Sequence, residues 1–154
     1  MPIDRLPARF YPVAYRVRGF LMTDATALIV MGVASLVRGV SYLPVFMPPP
    51  RITSHPVEGT IPVEGWALVW IAISVLCLTA AVTHLPVLDA TAIGLGIGLH
   101  VMWGLSFITS TLVDGSPRAW TSSIGMLSTA ALVSWAVWRG KRGDIDDRGQ
   151  VDGG

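Results

Sequence analysis

Charge is what this sequence is short of. Asp, Glu, Lys and Arg make up 14% of its 154 residues, where a soluble domain carries about 25%. The deficit is concentrated. The 24 residues after Glu64, the 24 after Asp89 and the 20 after Arg118 contain none of the four. Over half of the chain, 52%, is hydrophobic, and mean hydropathy is +0.59. A water-solvated domain does not hold uninterrupted apolar runs of that length, so the sequence reads as that of a membrane protein.

Other shortages exclude further classes. The net charge is only +1 and no basic stripe exists, which removes nucleic-acid binding. The single cysteine, Cys77, can neither close an intramolecular disulfide nor build a metal knuckle. It sits within an apolar run and reads as packing. No GxSxG, no HExxH and no glycine-aspartate pattern of an intramembrane aspartyl protease occurs. The expectation is a non-enzyme with no catalytic residue, cofactor or metal.

What is present is helix-length apolar sequence. Crossing about 30 Å of hydrocarbon takes roughly 20 residues in a helix, and lipid forces backbone groups to be satisfied within the segment. The three charge-free runs predict spans over about 66–86, 89–112 and 119–138. A first span is predicted over about 20–43. Only 13 residues separate Asp24 from Arg38, but arginine can extend its stem to the interface and Asp24 can start the helix. The predicted fold is an all-α membrane protein of four transmembrane helices in the region 19–138.

Direction follows from Lys and Arg near span ends. Residues 1–18 form a basic N-terminal arm with Arg5, Arg9, Arg16 and Arg18. The tail 139–154 holds Arg139, Lys141, Arg142 and Arg148, against Arg51 and Arg118 in the intervening loops. Both termini are therefore expected on the cytoplasmic side of a bacterial inner membrane. Trp66 and Trp120 would mark the outer headgroup level, Trp135 and Trp138 the inner one, with Trp70 and Trp103 one turn deeper. A cleaved signal peptide fits less well, because no A-x-A-like site follows the first apolar stretch.

The connections differ in kind. PVFMPPPRITSHPVEGTIP, within the external loop 44–65, holds six of the eleven prolines and predicts stiff, extended chain. It is either a spacer or a surface for a protein partner. The tail RGKRGDIDDRGQVDGG is polar, charged and glycine-rich, and predicts disorder; it is the other candidate partner contact.

One phrase occurs twice. DATALIVMGVASLVRGVSYL at 24–43 aligns without a gap to DATAIGLGIGLHVMWGLSFI at 89–108, an offset of 65. Asp24-Ala-Thr-Ala matches Asp89-Ala-Thr-Ala, Gly39 and Ser41 match Gly104 and Ser106, and Tyr42 meets Phe107. Either apolar helices converge cheaply, or the fold is two tandem helical hairpins, related by an axis along the membrane normal as in parallel-repeat membrane proteins. The repeat would put Arg38 level with Trp103, predicting a cation–π contact worth on the order of 1 kcal/mol.

Three further features are site candidates. Gly94 and Gly98 form GxxxG inside an apolar helix and predict close helix packing. The neighbouring GLGIG echoes a dinucleotide loop but lacks the strand that such a loop follows. His100 lies 11 residues past Asp89, roughly 16 Å along a helix and near mid-bilayer, where a polar side chain is a functional candidate. The bland reading is a neutral histidine bonded to a serine or threonine of another helix; the sharper one is a proton relay or pore lining. Haem ligation is disfavoured, because His84 and His55 fall at other depths. Asp24 and Asp89 each precede Ala-Thr-Ala and read as helix N-caps. The alternative is a carboxylate pair at the inner mouth of a polar pathway.

The order of RGVSYLP, a proline-rich loop, GWALVWIAISVL, WGLSF and SWAVWRGKR resembles the small four-span membrane proteins encoded by tailed bacteriophages of high-GC Gram-positive bacteria, over roughly residues 16–142. The motifs are loose and bring no functional residues with them. Some such proteins are holins, which assemble in the inner membrane and open it at host cell lysis. The resemblance implies a holin-like, self-associating membrane permeabiliser. A non-catalytic accessory protein and a small proton- or cation-conducting protein are the alternatives.

Overall fold

The computed structural model describes residues 24–46, 56–83, 85–115 and 118–151. The expected arm 1–18, the start of the first expected span, His55 and His84 lie outside the described residues, as do the side chains of Asp24 and of residues 140–151. All regular structure among the described residues is helical. Four α-helices, α1 (Asp24–Ser41), α2 (Val63–Thr83), α3 (Pro86–Val113) and α4 (Ala119–Val151), are joined by a 3-10 turn at Pro56–Thr60 between α1 and α2. α2 and α3 are long and apolar enough to cross a membrane; the apolar stretch of α1, Ala25–Ser41, is shorter.

Local chemistry sets the helix ends. α1 closes where the Ser41 hydroxyl donates to the Arg38 carbonyl at 2.7 Å and the Tyr42 and Leu43 amides donate three residues back. Pro44 follows and cannot extend the helix. α2 starts on the Pro62 carbonyl, which accepts from the Gly65 amide at 2.8 Å. α3 begins at Pro86, whose missing N–H costs nothing at a first helical position. Leu85 before it is extended, as a residue preceding proline prefers. The turn into α4 places Gly115 at φ +65, a left-handed conformation that glycine adopts without strain.

These ends correct two expectations. Asp89 is not an N-cap. It lies within the first turn of α3, its amide donating to the Leu85 carbonyl at 2.9 Å, because Pro86 starts the helix sooner. The tail is helical to Val151 rather than disordered. No proline interrupts 119–151, and extending an existing helix is far cheaper than nucleating one.

α1 packs most extensively on α2, and α3 on α4. The interior has two tiers. The half away from the 3-10 turn is built from small and aliphatic side chains, among them Ala25, Leu28, Met31, Cys77, Ala80, Ala92, Ile93 and Val133. The half beneath the 3-10 turn is aromatic: Tyr42, Trp66, Trp70, Trp103 and Phe107, with Ala67, Leu99 and Ala119. Trp66 is thus core rather than belt, while Trp120, Trp135 and Trp138 are half-exposed on α4. Several helix hydroxyls are satisfied within their own helix. Thr91, Thr109, Thr111, Thr129 and Ser134 each donate to the carbonyl four residues back on their own helix.

Candidate functional site

The aromatic tier carries the polar chemistry. Trp66 and Trp70 are one turn apart on α2, and Trp103 enters between them from α3. The ring centroids lie 4.4 and 5.3 Å from Trp103, both edge-to-face. Tyr42, just beyond the end of α1, meets the same indole at 6.4 Å. Such edge-on pairs add to the area they bury.

Arg38, in the last turn of α1, has its guanidinium 5.4 Å from the Tyr42 ring and 5.7 Å from the Phe107 ring. Trp103, expected as its partner, sits beside them and contacts Tyr42. These contacts can be set against the repeated phrase. Under the offset of 65, Arg38 corresponds to Trp103 and Tyr42 to Phe107. The contacts Arg38–Phe107 and Tyr42–Trp103 therefore exchange with each other.

Above this cluster lies a residue that the sequence reading missed. Glu58, in the 3-10 turn, is only 1% exposed. The Tyr42 hydroxyl donates to its carboxyl. The turn is fastened by the Val57 amide, which donates to the Ser106 hydroxyl at 3.1 Å, and by Thr60, which donates to the Val57 carbonyl at 2.7 Å. One signal was available: PVEG occurs at both 56–59 and 62–65, and each copy starts a helical turn.

His100 is buried, its ring edge-on to Trp70 at 5.1 Å. Its Nδ1 lies 2.8 Å from the Gly96 carbonyl one turn back. A carbonyl only accepts, so Nδ1 carries the proton. The partner is thus the residue's own helix, not a hydroxyl on another. Ser35 and Ser74 stand at this level. Close approaches of Gly39 to Ile71 and of Gly32 to Cys77 bracket them on α1 and α2. Both hydroxyls are fully buried and have no hydrogen-bond partner among the described residues.

The remaining candidates are not brought together. Asp89 lies at the opposite end of the bundle, and one of its carboxylate oxygens is buried without a partner among the described residues. The Asp24 side chain lies outside the described residues. Between the Asp89 level and His100 the interior is the aliphatic tier. Gly94 and Gly98 pack against none of the described residues, because a Cβ on either would meet nothing within 4 Å. Close approach belongs instead to Gly96, against Met31, and to Gly104, against Leu127. Among the described residues no group of His, Cys, Asp and Glu could hold a metal ion.

Comparison with protein-family models, curated proteins and solved structures gives no match.

Proposed function

We propose that this chain is a non-enzymatic, multi-pass protein of a bacterial inner membrane, with both termini cytoplasmic, that associates with copies of itself in the holin-like manner. The observation that carries this reading is the outward face of α3. Gly94 and Gly98 stand one turn apart there with nothing within 4 Å of where their side chains would be. In lipid, helix association is driven by close backbone packing rather than by expulsion of water, and small residues permit it. The aliphatic tier supports the same view. Among the described residues it fills the interior between Asp89 and His100 with apolar side chains, which favours an opening formed between copies.

In this reading all four helices cross the membrane as two tandem hairpins, with the 3-10 turn on the external side. The exchange of Arg38–Phe107 with Tyr42–Trp103 supports a duplicated origin. Induced expression in a bacterial host should collapse the membrane potential abruptly after a delay. A Gly98→Cys variant in a Cys77→Ala background should form disulfide-linked dimers on oxidation. Harmless accumulation of monomeric protein overturns the proposal.

A second reading is an accessory protein that binds a partner through its external side. It is favoured by Val45 and Phe46, which are exposed next to the fastened turn. Conduction of protons or cations along Asp24, Asp89 and His100 is the weaker reading, because aliphatic packing separates the histidine from Asp89.

A further inference from the structure

Arg38 is out of place at the outer end of α1. The basic residues that orient the chain gather at its two termini, whereas Arg38 stands in the last turn of a helix that the proposed function sets in lipid. Contact fixes its level. Met31 lies against Gly96, so α1 and α3 run side by side in the register of the repeated phrase, with Ser41 level with Ser106. From that level α3 continues to Val113, about 10 Å further, while α1 stops at Ser41. The bundle therefore has a step over α1, and Arg38 lies just below it. Its side chain runs outward, because the guanidinium reaches the ring of Tyr42 four residues on.

The rings of Tyr42 and Phe107 hold the charge, at 5.4 and 5.7 Å, but a ring offers no lone pair to an N–H donor. Arg38 Nε has no hydrogen-bond partner among the described residues, and the side chain is only half-buried. Glu58 is enclosed, 1% exposed, and the connection 44–57 before it holds no acid. Below Arg38, α1 turns an apolar stripe outward. Val30, Val33 and Val37 recur at helical spacing and all are exposed. A cation above an apolar track matches a phospholipid, whose phosphate presents paired oxygens to a guanidinium and whose acyl chains lie along the helix. A free anion would leave the valines unmatched, and a purely apolar partner would leave the arginine uncompensated.

We propose that Arg38 binds the phosphate of an outer-leaflet phospholipid, which settles into the step over α1 with its acyl chains along Val30, Val33 and Val37. This lipid site rests on the reading that α1 crosses the membrane, and it is independent of the glycine face on α3.

Two measurements separate the site from that reading. In the first, membranes holding the full chain are extracted with alkaline carbonate. Release of the protein overturns the membrane reading and the site with it. In the second, the melting temperature of the membrane-retained protein is followed in detergent for the wild type, Arg38→Gln and Arg38→Leu. Each is titrated with phosphatidylglycerol, diacylglycerol or sodium phosphate at matched ionic strength. The expected result is a saturable rise with phosphatidylglycerol in the wild type, mostly lost in both variants and absent with diacylglycerol. An equal rise with diacylglycerol, or a rise retained in full without Arg38, overturns the site while leaving the membrane reading intact. An equal rise with sodium phosphate means a free-anion site and overturns the lipid assignment. Should neither variant fold, native mass spectrometry of the wild type decides. Phosphatidylglycerol adducts should then outlast diacylglycerol adducts, and equal retention overturns the proposal.

Discussion

Met31 of α1 lies against Gly96 of α3, the residue 65 positions later to which it corresponds in the repeated phrase. A residue that touches its own counterpart marks the place where two equivalent segments cross. A Cβ on Gly96 would stand 2.7 Å from Met31 Cγ, so α1 and α3 approach as closely there as a glycine allows. Gly96→Val should destabilise the bundle by about 1–3 kcal/mol through overpacking, and Met31→Ala should relieve much of that loss. Gly94→Ala, on the open face, should be neutral or stabilising by up to about 1 kcal/mol. Thermal unfolding in detergent separates the two outcomes.

Trp103 is the hub of the aromatic tier, fully buried and in ring contact with Tyr42, Trp66 and Trp70. Trp103→Ala should cost about 3–5 kcal/mol. Trp120→Ala, half-exposed on α4, should change the melting temperature little. Equal effects at the two positions would mean that the tiered interior is misassigned.

Ser35 and Ser74 invert the usual expectation for a core substitution. A buried hydroxyl with no partner carries a desolvation cost of about 1–3 kcal/mol, and alanine removes the oxygen while leaving almost the same volume. Ser74→Ala should therefore hold or raise the melting temperature. A clear fall would reveal a hydrogen bond at that hydroxyl.

Tyr42 supplies a further packing test. Its ring stands edge-on to Trp103 and beneath the Arg38 guanidinium. Tyr42→Ala should therefore lower stability by about 3–5 kcal/mol, read as a fall in melting temperature in detergent.

The lengths of apolar sequence announce helices, and the doubled phrase gives the level at which α1 and α3 meet. What the sequence hides is rotation. A soluble helix reveals its buried face by contrast with polar residues, but in α2 and α3 both the inward and outward faces are apolar. Hence Trp66 reads as a belt residue although it is core, and Gly94 and Gly98 read as packing residues although Gly96, between them, makes the contact. Glu58 escapes for another reason. An acid in a proline-rich connection looks solvated until the fold sets Tyr42 and Arg38 beneath it. His100 is legible as buried, but its partner is not. Its ring bonds the carbonyl of Gly96 on the same helix.

The six indoles are divided between two surroundings, with Trp66, Trp70 and Trp103 enclosed and Trp120, Trp135 and Trp138 on the periphery. The protein consequently carries a built-in optical reporter. A lipid-dissolved quencher dims the peripheral set and spares the enclosed one, so the residual emission registers any lifting of the 3-10 turn from its seat without an added label.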